Sequence, residues 1–148
     1  MNNILITKTG VCGMVGLVGG AIVKLFGGWS SDMTTLITFM AIDFFMGLIV
    51  AGVFGKSDKS PTGALDSKAG WRGLCKKCVT LLFVLIAHRL DIALGTDYIK
   101  SATIIAFILN EIISIAENAG LMGIPLPQVI TKGIELLKEK DDNQKKGN

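Results

Sequence analysis

The chain is short of the residues from which most active sites are built. Its 148 residues include one His, one Tyr, three Pro and three Cys, and charged residues make up 18% of the total. One His excludes an HExxH zinc site, no glycine-rich loop ends in GK[ST], and no Ser or Cys stands beside His88 in a nucleophile pattern. With those signatures absent, no catalytic residues and no enzyme activity are expected. Cys12, Cys75 and Cys78 are too few, and odd in number, for a disulfide framework. The "CKKC" at 75–78 has the spacing of a metal knuckle or redox pair but lacks a second Cys/His pair, so small residues at a helix start are the favoured reading, with no metal and no cofactor expected. Basic residues are not interleaved with aromatics as nucleic-acid binding requires, and no nucleic-acid partner is expected. The N-terminal region has only Lys8 as a basic residue before its apolar run, so no cleaved leader is expected either.

What the chain has is apolar sequence, at 50% of residues with a mean hydropathy of +0.55. That excess lies in four stretches, 11–26, 36–54, 79–94 and 102–115. At about 1.5 Å per helical residue, sixteen residues reach about 24 Å and nineteen about 28 Å, against a hydrocarbon core of about 30 Å. The expected fold is therefore an all-α integral membrane protein. Its helices are placed at about 11–27, 35–54, 75–94 and 100–117, forming a membrane domain over 1–119. A basic cytoplasmic loop is expected at 55–74, partly disordered and close to anionic headgroups. Residues 120–148 read as a cytoplasmic amphipathic helix and charged tail, because Val129, Ile130, Ile134, Leu136 and Leu137 alternate with polar residues after Pro125 and Pro127.

Basic residues set the orientation. If all four stretches span, one side carries Lys8, Lys56, Lys59, Lys68, Arg72, Lys76, Lys77, Lys132, Lys138, Lys140, Lys145 and Lys146, and the other only Lys100. That asymmetry puts both termini in the cytoplasm. A hairpin of the first two stretches, with the last two lying on the inner surface, also satisfies the charges. Lys68, Arg72, Lys76 and Lys77 then form a basic membrane-surface loop.

Each stretch also carries ionisable or polar groups that lipid penalises. Lys24 ends the first, Asp43 lies within the second, His88, Arg89 and Asp91 in the third, and Asn110, Glu111, Ser114 and Glu117 in or just after the fourth. The ten Val, Leu, Ile and Phe residues of 79–94 contribute about −3 to −6 kcal/mol to insertion, while Arg89 and Asp91 at the bilayer centre cost about +5 to +7 kcal/mol together. These groups therefore need partners on other helices or water. Asp43 and Glu111 are candidate partners for Arg89. Both a bundle whose ions pair off and an oligomer with a polar opening satisfy this demand. Gly16 and Gly20 form a GxxxG pair, read either as a helix-packing face or as the ordinary glycine content of membrane helices.

The segments "GGW", "MAIDFFMGLIVA", "SKAGWRGLCKKC", "LIAHRLDIALGTD" and "FILNEIISIAENAGLMGIPLPQVITKGIELLKEK" resemble, in this order, the toxin-secretion and phage-lysis holin family. The similarity runs from about residue 27 to residue 138. Asp43 followed by Gly47 fits the family's second helix, Lys76 and Lys77 its basic hinge, and Asp91 the acidic position ending its third apolar segment. His88 and Arg89 beside that Asp, and the CxxC, depart from the simplest pattern. Family members are often described with three spans, whereas the charge count here favours four. The resemblance implies a multi-pass protein of the bacterial host plasma membrane that homo-oligomerises among membrane lipids and opens lesions. Endolysin, or a large toxin, is then released cargo rather than a tight partner. The alternative reading of the buried charges is a small membrane transporter or ion-channel subunit.

Overall fold

A computed structural model describes residues 2–133, 135 and 136. Four long helices follow one another: α1 (Asn2–Leu25), α2 (Ser31–Ile49, continued by a π-helical turn Val50–Phe54), α3 (Ser67–Leu94) and α4 (Ile99–Leu121). Residues 128–133, 135 and 136 are also helical, and no strand occurs among the described residues. The rest of the charged tail expected at 120–148 lies outside them.

Local chemistry sets the helix ends. Ser30 adopts extended backbone and its hydroxyl accepts from the Met33 amide at 3.3 Å, while Asp32 places a negative charge in the first turn of α2. The π turn closes at Gly55, whose φ of 60° suits a residue without Cβ. The chain from 56 to 66 is tied rather than loose: Ser57 N donates to Gly63 O at 2.9 Å, and Ser60 Oγ to Ala64 O at 2.7 Å. Asp66 then accepts from Lys68 N at 2.8 Å and caps α3. α3 therefore begins at Ser67, and residues 67–74 of the expected loop are helical. At about 1.5 Å per residue its 28 residues reach about 42 Å.

α2 packs most extensively on α4, then α4 on α3. Lys77 meets Glu111, and Asp91 meets the start of α4, so α3 and α4 are antiparallel and α2 runs parallel to α4. Met33, Leu36 and Met40 of α2, Val84 of α3 and Ile104 of α4 form a buried cluster, flanked by Phe26, Leu81 and Phe107. Large apolar side chains elsewhere are exposed, including Leu17, Phe45, Val53, Leu82, Phe83 and Ile105. In water that would leave a costly surface. α2 with its π turn (residues 31–54) and α4 are long and apolar enough to cross a membrane, and a shorter apolar segment lies at Gly16–Leu25. In lipid the apolar exterior needs no cover, and association between helices rests on dispersion and polar bonds instead.

Candidate functional site: two polar clusters between the helices

The larger cluster joins three helices. Lys77 Nζ, from α3, donates to Asp43 Oδ2 of α2 at 2.8 Å and to Glu111 Oε2 of α4 at 2.6 Å. Asn118, one of three buried polar residues among those described, donates from Nδ2 to Asp43 Oδ1 at 2.9 Å. The side chains of Lys77, Asp43 and Glu111 are 15%, 9% and 12% exposed, so these charge-assisted bonds are poorly screened. Two carboxylates share one ammonium, and the cluster is a clamp between three helices. Among the described residues no buried side-chain N or O lacks a hydrogen-bond partner, and no group of three His, Cys, Asp or Glu could hold a metal.

The second cluster lies at the corner between α3 and α4. Asp91 accepts from Thr96 Oγ1 at 2.7 Å, from Ile99 N at 3.0 Å and from Lys100 N at 2.8 Å. It thus caps the first turn of α4 from across the α3–α4 corner, satisfying two of the donors that a helix start leaves open. Gly95, with φ of 68°, turns the chain there, and its amide bonds back to Asp91 O. Lys100 Nζ donates to Phe26 O at 2.5 Å and ties α4 to the end of α1. His88 packs its ring against Gly27, where a Cβ would overlap it.

This geometry corrects the expected partnership of Arg89. Glu111 and Asp43 go to Lys77, while Arg89 is exposed and has no carboxylate within ion-pair distance among the described residues. Arg89 sits five residues before the end of α3, where a long side chain can reach the interface instead of the bilayer centre. Lys77, counted with the surface loop by its sequence position, is instead the central cation of the clamp. Ser114, Asn110 and Glu111 line one cleft, but Glu117 is exposed and Asn118 takes the inward position one residue on. Lys24, Lys68, Arg72 and Lys76 are exposed. Gly16 and Gly20 are exposed, and a Cβ at either meets nothing within 4 Å, so the glycine pair packs against no neighbour among the described residues of the chain. Cys75 and Cys78 are free and exposed. Asn118 and Thr96 were missed in the sequence; Thr96 had a signal, since a Thr one residue past a helix-ending Gly is well placed to bond back to the last turn.

A helical bundle with a lipid-suited exterior and charges confined to its interior and ends defines a small membrane protein. The model of the Bacteriophage holin family matches residues 20–139, and the chain belongs to that family. A probable holin of Bacillus phage phi105 is 31% identical over 105 residues, covering 70% of this chain and 71% of its own length. An uncharacterized protein of Halalkalibacterium halodurans is 34% identical over 128 residues, covering 82% of this chain and 89% of its own. An uncharacterized 14.9 kDa protein of Clostridium perfringens, from the nagH 3' region, is 35% identical over 118 residues, covering 78% and 83%. No solved structure matches.

Proposed function

We propose that the chain is a non-enzymatic holin that homo-oligomerises in the bacterial host plasma membrane and opens lesions through which endolysin, or a large toxin, leaves the cell. The observation that carries this reading is the pairing of an apolar exterior with a charged clamp spanning α2, α3 and α4, in a chain of the holin family. Such an arrangement is at home in lipid and offers polar faces that an assembly can turn toward water. The four-span topology with both termini cytoplasmic is part of the proposal. Its supports are the asymmetry of Lys and Arg and the side-by-side packing of α2 and α4. Residues 1–119 act as the membrane domain and 120–148 as its cytoplasmic appendage.

The test is inducible expression in a bacterium, following membrane potential, viability and release of a cytoplasmic enzyme with endolysin co-expressed. Enzyme release that depends on both proteins is expected. Loss of potential with no passage of endolysin, at full membrane accumulation, supports an ion channel and rejects the lesion.

A further inference from the structure

Beside the clamp lies a cleft of about 450 Å³, between the start of α3 and the latter half of α4. Lys59, Arg72, Lys76 and Lys77 line it, together with the carboxylates of Asp43 and Glu111. Both carboxylates are already bonded to Lys77. Among the described residues, Lys59, Arg72 and Lys76 have no carboxylate within ion-pair distance. Four cations against two anions leave an excess of two positive charges. Thr80, Asn110 and Ser114 add hydroxyl and amide groups to the lining.

Two further observations fix the kind of anion. A smaller, mostly apolar pocket of about 70 Å³, lined by Phe44, Leu48, Ala51 and Leu65 together with Asp66, adjoins the cleft and shares Asp43, Lys59, Ala69, Gly73 and Lys77 with it. Trp71 is 67% exposed and shares a surface recess with Lys68 and Arg72, which suits the headgroup level of a bilayer. An anion with an apolar body matches both features, and free phosphate uses only the first. The geometry points to a site for one anionic phospholipid of the cytoplasmic leaflet, its phosphate held by Lys59, Arg72 and Lys76. Basic pockets between membrane helices on that side are suited to such headgroups. The inference rests on the membrane reading and adds a defined lipid partner to it.

The experiment uses the full chain with Trp29→Phe, leaving Trp71 as the one tryptophan, reconstituted in phosphatidylcholine vesicles. Flotation with the vesicles is measured first. A chain that fails to float overturns the membrane reading itself. Brominated phosphatidylglycerol and brominated phosphatidylcholine, at equal mole fraction, are then compared as quenchers of Trp71. Each basic residue near an anionic surface raises affinity about fivefold, the equivalent of about 1 kcal/mol, so a preference of at least about fivefold for phosphatidylglycerol is expected. It should vanish in Lys59→Gln/Arg72→Gln/Lys76→Gln, survive in Lys68→Gln, and survive in the charge-retaining Lys59→Arg/Arg72→Lys/Lys76→Arg. If the triple Gln variant does not float, Arg72→Gln alone is read, with a loss of about fivefold. Equal quenching by the two lipids overturns the site. An equal loss in Lys68→Gln replaces it with a diffuse surface field, and a preference abolished by inorganic phosphate makes it a site for the free anion.

Discussion

At the scale of single residues, the Lys77 ammonium holds two carboxylates, Asp43 Oδ2 at 2.8 Å and Glu111 Oε2 at 2.6 Å, each on a different helix. Asp43 and Glu111 stand out in apolar stretches, yet the sequence offers Arg89 as their cation and leaves Lys77 in a surface loop. The choice depends on the relative height of three helices, which no local pattern encodes. Lys77 is chosen because α3 starts earlier than its apolar run and brings this residue level with Asp43 and Glu111. Lys77→Met leaves two carboxylates close together in a poorly solvated place, so it should destabilise the bundle by about 3–5 kcal/mol, more than Glu111→Gln does. The double variant should fall short of the sum by about 1–3 kcal/mol, as measured by thermal unfolding in detergent. Arg89→Leu with Glu111→Gln should add within about 0.5 kcal/mol, because the two residues share no bond. Coupling in that second pair instead of the first would reverse the assignment. Asp91 answers differently: its carboxylate costs little because three donors converge on it. Asp91→Ala should destabilise by about 1–2 kcal/mol and speed amide exchange at Ile99 and Lys100, with α2 exchange unchanged. Exchange that stays slow at those two amides would show the cap to be dispensable.

At the scale of elements, α2 and α4 were readable as long apolar helices because length and hydropathy agree in them. The first turns of α3 were not, since Gly70 and Gly73 and four basic residues in 67–77 look like loop; the Asp66 cap is a local start signal, whereas the ties within 56–66 that lead into it are cross-turn features. The corner between α1 and α2 is another such feature. Gly27 has φ of 71°, and a Cβ there overlaps the His88 ring. Gly27→Ala carries two separate costs, about 1–2 kcal/mol for left-handed backbone and a further cost from displacing the imidazole. His88→Ala should recover the second and leave the first, so the pair should be less destabilised than Gly27→Ala in an otherwise unchanged chain. Melting temperatures of the three variants in one detergent decide this. No recovery would mean that the ring moves aside freely and does not fix the corner.

At the scale of the whole molecule, the arrangement of charge constrains orientation, and the exposed face of α1 constrains assembly. With four spans, probes at Ser31 and Thr96 should react with an impermeant thiol reagent on intact cells, and a probe at Ser60 should not, in a background with the native cysteines replaced. Labelling at Ser60 from outside would invert or break the topology. The described part of α1 carries Met14, Leu17, Val18 and Ile22 on an exposed surface, and around Gly16 and Gly20 no neighbour lies within 4 Å of where a Cβ would be. Among the described residues nothing therefore requires glycine at those two positions. Lipid provides no hydrophobic drive for a second helix to cover this surface, so close approach of backbones is the available source of association, and small residues one turn apart permit it. Gly16→Leu/Gly20→Leu should consequently leave insertion and the melting temperature of the monomer in detergent unchanged, while membrane crosslinking yields fewer oligomers and lysis is delayed. The separation of those readouts is the content of the prediction. A fall in monomer stability would place the glycines in contacts within one chain, and unchanged oligomers with unchanged lysis would assign assembly to another face of the bundle.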